Sequence, residues 1–330
     1  MRIARTLLPC ISHRTAAAAA GILPPFRMLA ATAAAGATAA PPSILSDATP
    51  AALAAPPSAP FSVMIHGEPV PVTGAVGVDL ARAIACVPFK EWAASMDTSL
   101  RVWSVHFTDL DFFGARVGFL KFRADVRKDG VVLPGIVFMR GGAVAILPVL
   151  TCGGERFVVC CRQPRVAIGA AAYLEIPAGM MDGDGNFTGV AAKEMREETG
   201  LDIGEHELID LTAAAARLGA AGDAGSGGLG EVRAAAPADE AGPADAAHAA
   251  RGIYPSVGAC DEFLRLLYVS RSCTQSELQA LRGRVTGNLE EGEVITLEIV
   301  PLERLWMCCT DAKTLAALYL LQMLEARGVL

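Results

Sequence analysis

The segment that decides the fold, residues 174–203, reads LEIPAGMMDGDGNFTGVAAKEMREETGLDI. Its second half predicts a helix over residues 190–199, and on that helix Glu194, Glu197 and Glu198 lie at positions i, i+3 and i+4 and share one face. Three carboxylates on one face repel each other, but a hard divalent cation such as Mg²⁺ prefers oxygen ligands and also binds substrate phosphates. The spacing therefore leaves two hypotheses open: a magnesium site for a phosphate substrate, or an ordinary solvated acidic face.

Predicted strands and helices surround this segment. Hydrophobic periodicity predicts strands over residues 116–126, 136–139, 143–150, 157–161, 263–270 and 294–300. The run over 143–150 is apolar throughout, which is typical of a strand buried on both faces. Apolar residues at helical spacing predict helix over residues 77–96, with a break near Pro88. The chain ends in an amphipathic helix that starts at Thr310 or Asp311 and stops at Gly328.

Two alanine-rich segments lie outside the predicted core. Residues 1–46 contain four arginines and no acidic residue, which is the composition of an organelle transit peptide, and we assign residues 1–55 to such a peptide and a linker. Residues 214–250 are dominated by alanine and glycine and hold no aromatic residue, so we predict a disordered low-complexity insertion. The remaining residues suffice for one sizeable core.

The charge and the cysteines argue against several classes of function. The chain carries a net charge of −7, and an acidic protein body argues against a nucleic-acid partner. The only long apolar run is interrupted by Pro24, Pro25 and Arg27, which argues against a membrane span. Nine cysteines without zinc-site spacing indicate reduced thiols rather than a metal site or a disulfide framework.

The deciding segment also matches a known family pattern. The residues that stand at the fixed offsets of the Nudix box are Gly179, Glu194, Met195, Glu197, Glu198, Gly200 and Leu201. The chain therefore resembles the Nudix hydrolase family. Two positions depart from the pattern, since Gly185 replaces a glutamate and Lys193 replaces an arginine. In the family these two residues are thought to pair and brace the loop, so their joint loss leaves no charge without a partner.

Further motifs narrow the resemblance to the ADP-ribose and ADP-sugar pyrophosphatases. Within this group, residues 117–140 and 305–313 look most like the chloroplastic ADP-sugar diphosphatases of plants. Residues 174–179 are similar to the Glu-x-Pro-Ala-Gly signature of that group. Residues 254–262 resemble its Pro-Ser-Pro-Gly-x-x-Asp-Glu loop, with Val257 in place of the second proline. The stretch from Gln163 to Arg165 resembles a Gln-x-Arg strand end that faces the substrate.

The resemblance implies an α/β fold, in which a Nudix α/β/α sandwich with a mixed sheet covers residues 136–330. A small subdomain of helix and strands precedes it over residues 56–135. In this group the N-terminal part packs across a homodimer, so the resemblance also implies a homodimer. The resemblance favours the chloroplast as the organelle to which the transit peptide directs the protein, with the mitochondrion as the alternative.

The resemblance further implies a magnesium site, at which Mn²⁺ is also possible. The carbonyl of Ala178 and the carboxylates of Glu194 and Glu198 would ligate the ion, with Glu197 assisting. Glu291 and Glu293 match a mobile loop that supplies the general base and a further ligand. A carboxylate suits that place, because a water between a base and a metal loses its proton easily. A solvated acidic turn remains the alternative for this loop.

Four residues are candidate substrate contacts. Arg165, with Gln163 beside it, would bind the diphosphate or the terminal sugar through bidentate hydrogen bonds, and a plain surface arginine is the alternative. Arg140 is a further candidate, for which an edge salt bridge is the alternative. Glu262 would support the metal cluster unless it is only a charge at the start of a strand. Three tryptophans are expected in the core or an interface rather than under a nucleotide base: Trp92, Trp103 and Trp306.

The implied activity is Mg²⁺-dependent hydrolysis of an ADP-sugar, ADP-glucose or ADP-ribose, to AMP and a sugar phosphate. Two alternatives stay open. One is a Nudix enzyme for another diphosphate, such as UDP-glucose or a dinucleotide. The other is a catalytically silent Nudix module that binds nucleotides, for which only Gly185 and Lys193 argue.

Overall fold

Two β-sheets, formed one after the other along the chain, carry the helices of this protein. The computed structural model describes residues 61–181, 186–222, 251–288 and 293–330, which belong to one compact unit. The last strand of the first sheet ends at Met139, and the first strand of the second sheet begins at Gly142. The leader assigned to residues 1–55 lies outside the described residues.

The first sheet is a mixed sheet of six strands. Its strands are β1 (Phe61–Ile65), β2 (Glu68–Gly74), β3 (Arg101–Phe113), β4 (Arg116–Lys128), β5 (Val131–Leu133) and β6 (Ile136–Met139). Their order is β1-β2-β3-β4-β5, with β6 also paired to β4. Only β2 and β3 run parallel. The strand predicted over residues 136–139 exists, but it completes this sheet and not the second one, to which the resemblance assigned it.

Two short helices, α1 (Leu80–Ala85) and α2 (Val87–Ala94), pack against the first sheet. The break predicted near Pro88 is present, because Cys86 between the helices is extended and the proline lies in the first turn of α2. The core beneath them is aromatic: the ring of Phe89 lies 4.9 Å from that of Phe107 and 5.6 Å from that of Phe122. These edge-to-face contacts fix α2 on the sheet.

The second sheet is mixed and has eight strands. They are β7 (Gly142–Cys152), β8 (Glu155–Arg165), β9 (Ala170–Glu175), β10 (Ala178–Met180), β11 (Ile209–Asp210), β12 (Phe263–Ser272), β13 (Val285–Thr286) and β14 (Ile295–Pro301). Their order is β11-β12-β7-β8-β14-β13, with β10 on β7 and β9 on β8. Strands β7 and β12 are parallel and the other pairs are antiparallel. The predicted mixed sheet is confirmed.

Helices cover both faces of this sheet. They are α3 (Phe187–Glu194), α4 (Leu211–Gly222), α5 (Gln275–Leu281), α6 (Leu305–Cys308) and α7 (Ala312–Ala326). Alternate residues of β7 show the layers: Ala145 and Leu147 face the core under α4 and α7, whereas Val144 and Ile146 face the core under α3. Strand β7 is thus buried on both faces, as predicted, and the α/β/α architecture is confirmed.

The predicted helix over residues 190–199 is present in two parts. Helix α3 starts earlier, at Phe187, where the side chain of Asn186 accepts a hydrogen bond from the Gly189 amide at 3.0 Å. After Glu194 the chain continues as a π-helical turn, Met195–Thr199, and ends at Gly200 in the left-handed region. A π-helical turn changes which side chains share a face, and such turns are frequent at functional sites.

One prediction needs correction. The low-complexity block assigned to a disordered loop from residue 214 begins as a helix, because α4 runs to Gly222 and buries Ala214 against the core. Alanine is the strongest helix former, so an alanine-rich stretch continues a helix wherever one face can pack. Residues 223–250 lie outside the described residues. Of the three tryptophans expected in the core or an interface, Trp92 packs on Phe122, and for the exposed Trp103 and Trp306 an interface position stays a prediction.

Eight cysteines in the described part of the chain are free thiols, and four of them are buried: Cys152, Cys160, Cys161 and Cys309. Within the same residues, no helix is both long enough and apolar enough to cross a membrane.

Candidate active site

A buried carboxylate, that of Glu198, lies at the centre of the site. The residue is 5% exposed. Its Oε2 atom accepts a hydrogen bond from the Ala178 amide at 3.1 Å, and the Cys161 thiol lies 3.8 Å from the same oxygen. The backbone carbonyl of Glu198 accepts a hydrogen bond from the Thr286 hydroxyl. The carboxylate of Glu198 is therefore held from β8 and β10, and its backbone from β13.

The carboxylate of Glu194 lies against the same segment of chain. A Cβ atom added to Gly179 would come within 2.0 Å of Oε1 of Glu194, so the carboxylate lies directly against this glycine and a larger residue would displace it. Ala178, which contacts Glu198, is the neighbouring residue. The structure thus brings three predicted site residues together: Ala178, Glu194 and Glu198.

The electrostatics of this site favour a cation. Burial, and next the charge of Glu194, raise the pKa of Glu198 from 4.5 to about 8. Two neighbouring carboxylates cannot both hold their charge in a buried place unless a positive charge compensates them. In the described residues no cluster of three or more His, Cys, Asp and Glu side chains is arranged to hold a metal. Two carboxylates with the Ala178 carbonyl are nevertheless a donor set that fits Mg²⁺ or Mn²⁺, since Mg²⁺ retains waters and substrate phosphates as further ligands.

Glu197 lies apart from these carboxylates. Its side chain is 53% exposed, and its Oε2 atom is 3.8 Å from Nζ of Lys193 one turn earlier. The expected common face therefore holds for Glu194 and Glu198 but not for Glu197. Lys193, which stands where the family pattern has arginine, makes a surface pair of the weak i, i+4 kind.

The described end of the predicted acidic loop, Glu293, interacts electrostatically with Glu198. Burial is the main cause of the raised pKa of Glu198, and the charge of Glu293 adds a smaller contribution in the same direction. The Glu293 amide donates to the carbonyl of Asn288 at 2.9 Å, so the ends of the loop meet beside β13. Glu291, the second residue predicted on this loop, lies outside the described residues.

Arg165 belongs to a network of charges that the sequence analysis missed. Its Nε atom donates to Oε1 of Glu175 at 2.6 Å, and Nζ of Lys313 pairs with Oε2 of the same carboxylate. Lys313 also lies 3.1 Å from Oδ1 of Asp311. Burial opposes the charge of Lys313, but Asp311 and Glu175 outweigh it and raise its pKa. The Glu-x-Pro-Ala-Gly signature contained the signal for Glu175, but nothing in the sequence indicated that Lys313 reaches it.

The structure gives the other three candidate substrate contacts weaker support than Arg165. Arg140 and Glu262 form an ion pair at 3.4 Å, which was the alternative considered for Arg140. Arg140 also lines a cavity of about 690 Å³ between α2, β4, β7 and α3. Gln163 lies on β8, where it pairs with Tyr173 of β9, two positions from Arg165.

Comparisons with known proteins identify the family. No protein-family model matches the sequence. The chain is 33% identical over 276 residues to Nudix hydrolase 14, chloroplastic, from Arabidopsis thaliana, and the match spans 79% of each protein. A solved structure described as the crystal structure of ADP compounds hydrolase aligns with a TM-score of 0.41 at 14% identity, over 72% of this chain and 100% of its own. Because this match to the Arabidopsis protein reaches 33% identity over 79% of the chain, this chain belongs to the Nudix hydrolase family.

Proposed function

We propose that this Nudix hydrolase cleaves the diphosphate of an ADP-sugar, ADP-glucose or ADP-ribose, to give AMP and a sugar phosphate. The observation that carries the proposal is the approach of two carboxylates, Glu194 and Glu198, to the Ala178–Gly179 segment. A buried carboxylate whose pKa is raised to about 8 needs a cation to be charged near neutral pH. The site is therefore built for chemistry on an anionic substrate.

Three groups would hold the cation: the carbonyl of Ala178 and the carboxylates of Glu194 and Glu198. Mg²⁺ is the proposed ion, with Mn²⁺ as a substitute, because both take oxygen ligands. When bound, the ion would neutralise charge on the diphosphate and lower the pKa of an attacking water. Glu197, which is exposed and paired with Lys193, is left out of this set.

The remaining roles follow from position. Glu293 lies close enough to Glu198 to influence its pKa, so it is the described candidate for the base that takes a proton from water. Glu291, on the same loop, is the other candidate. Arg165 belongs to the same region, because its Nε atom binds Glu175, three residues before Ala178 in the chain. We assign to it, with Gln163, the binding of the diphosphate, and to Arg140 and Glu262 a place at the margin of the substrate.

The choice of an ADP-sugar rests on sequence. The Glu175-x-Pro177-Ala178-Gly179 signature is similar to that of the ADP-ribose and ADP-sugar pyrophosphatases. The Arabidopsis relative is named as a chloroplastic protein, and the arginine-containing, acid-free leader supports the same location for this chain. Exposed aromatic side chains on the first sheet, Phe112 and Phe113 among them, support a homodimer formed through that sheet.

The test is the release of nucleotide from a panel of substrates. The full chain is incubated with Mg²⁺ and, in separate reactions, ADP-glucose, ADP-ribose and UDP-glucose, and AMP or UMP is measured. The proposal expects AMP from at least one ADP-sugar at a higher kcat/KM than UMP from UDP-glucose. A preference for UDP-glucose would replace the substrate assignment, and no turnover of any diphosphate would support a silent nucleotide-binding module instead.

A further inference from the structure

Four charged side chains form a continuous network beside the proposed active site. Glu175 is its centre and is only 2% exposed. The two oxygens of its carboxylate have different partners: Oε1 binds Nε of Arg165 at 2.6 Å, and Oε2 pairs with Nζ of Lys313. Lys313 is held in turn by Asp311 at 3.1 Å. One buried carboxylate thus divides its charge between two cations.

The cation at one end of this network is held rigidly. Lys313 lies in the first turn of α7, and Asp311 caps that helix by accepting hydrogen bonds from the Thr314 amide at 3.1 Å and from its hydroxyl at 2.5 Å. The Thr314 hydroxyl oxygen also accepts a hydrogen bond from the Ile176 amide at 3.1 Å. The start of α7 is therefore fastened to the chain next to Glu175, so Lys313 cannot drift away from the carboxylate.

The cation at the other end is open to solvent. The side chain of Arg165 is 42% exposed, although its Nε atom is bound to Glu175. Within the part of the chain that the structure describes, Glu175 is the one ion-pair partner of Arg165, and the contact is made through Nε. A guanidinium bound through Nε still has donors on its two terminal nitrogens, in a geometry that suits two oxygens of a phosphate.

We propose that Lys313 is a positioning residue for Arg165. By occupying Oε2 of Glu175, Lys313 limits Arg165 to a single contact through Nε and leaves its terminal nitrogens for the diphosphate. Without Lys313, both carboxylate oxygens attract the guanidinium, and a bidentate pair with Glu175 competes with substrate. The inference rests on the proposed function, since it takes Arg165 to bind a diphosphate. It adds a residue from the C-terminal helix that contacts neither substrate nor metal.

Loss of the positive charge at residue 313 tests the proposal through substrate binding. Lys313→Met is expected to raise KM for ADP-glucose about tenfold, because one charge-assisted contact to the diphosphate is weakened, while kcat stays within about twofold. Lys313→Arg keeps the cation and should restore most of the KM. Lys128→Met removes an exposed lysine on β4 and is the matched control, with unchanged KM. Thermal melting verifies that each variant is folded.

A double-mutant cycle separates positioning from a general structural effect. In an Arg165→Ala background, Lys313→Met should change KM by less than about twofold, because the residue through which it acts is gone. Equal effects of Lys313→Met with and without Arg165 would overturn the proposal, as would a KM unchanged in the single variant. If Lys313→Met does not fold, the same cycle is run with Lys313→Gln, which keeps a polar side chain.

A binding measurement keeps this test distinct from that of the proposed function. The same cycle is run by calorimetry with ADP-glucose in metal-free buffer, where no turnover is needed. Wild-type protein that binds ADP-glucose without ever cleaving it would refute the proposed reaction, while coupling between residues 165 and 313 in the binding constant would still support the positioning role. Wild-type protein that neither binds nor cleaves ADP-glucose or ADP-ribose, with or without Mg²⁺, would overturn both.

Discussion

The backbone amide of Ala178 donates a hydrogen bond to Oε2 of Glu198 at 3.1 Å, and this contact connects the loop before the Nudix helix to its last turn. The π-helical turn Met195–Thr199 turns Glu198 inward while Glu197 remains at the surface. One oxygen of the Glu198 carboxylate is thus occupied by the protein. The proposed reaction depends on what the rest of this carboxylate and Glu194 can bind.

The close approach of Glu194 to Gly179 predicts the effect of a single methyl group. In Gly179→Ala the new Cβ would lie 2.0 Å from Oε1 of Glu194, so the carboxylate has to move. We expect kcat/KM for ADP-glucose to fall about 10²-fold, the scale of a displacement of about 1 Å at a reacting centre. Steady-state kinetics measures the change.

The matched control for that variant is Gly219→Ala. Gly219 lies exposed in α4, and a Cβ there meets no atom within 4 Å. This substitution should leave kcat/KM unchanged and stabilise the helix by about 0.5–1 kcal/mol. Equal activity of the two variants would show that Gly179 does not shape the site.

The raised pKa of Glu198 predicts how stability depends on pH without metal. The folded-state pKa is about 8 against 4.5 for an ordinary glutamate, so the stability contributed by the protonated carboxyl is complete below about pH 4.5 and is lost as pH rises through 8. The melting temperature of metal-free wild type should therefore fall between about pH 5 and about pH 8 more steeply than that of Glu198→Gln. Scanning calorimetry in chelator-containing buffer compares the two slopes.

Divalent metal should change only one of these slopes. Excess Mg²⁺ compensates the charge of Glu198 and is expected to flatten the pH dependence of wild type, because a ligand that binds the folded state stabilises it. Glu198→Gln should respond less. Identical responses of the two proteins to Mg²⁺ would argue that the ion binds elsewhere.

A buried ion pair between β11 and β12 predicts a large effect on stability. Arg265 donates through Nε to Oδ2 of Asp210 at 2.9 Å, and both side chains are buried. Removal of the cation in Arg265→Met leaves Asp210 buried without this partner, so the free energy of unfolding should fall by about 3–5 kcal/mol. Urea denaturation measures it, with Arg327→Met at the exposed end of α7 as the control. A loss below about 1 kcal/mol would contradict the account of this pair.

Much of the fold and half of the site could be predicted, because the informative residues lie close together in the sequence. Glu194 and Glu198 are one helical turn apart, and Ala178 and Gly179 begin the loop that leads to them. The continuous apolar run over residues 143–150 likewise predicted β7 as a strand buried on both faces. In such local patterns the helix or strand itself fixes how the side chains are placed, so the sequence alone predicts their arrangement.

The network around Glu175 could not be predicted in the same way. Lys313 lies 138 residues beyond Glu175, and only the packing of α7 on the sheet brings the two together. The Cys161 thiol beside Glu198 depends in the same way on the pairing of β8. Helix α4 was missed for a different reason: an alanine-rich stretch has no strong apolar period, and its helix depends on the core that Ala214 meets.

The central claim is that the Glu198 site hydrolyses an ADP-sugar diphosphate with a divalent cation. The most direct measurement is AMP release from ADP-glucose at saturating Mg²⁺ by wild type, Glu198→Gln and the exposed control Glu303→Gln. The account predicts that kcat falls about 10³-fold in Glu198→Gln, the scale of several kcal/mol of lost metal-assisted stabilisation, and is unchanged in Glu303→Gln. A Glu198→Gln enzyme that retains nearly full turnover would contradict it.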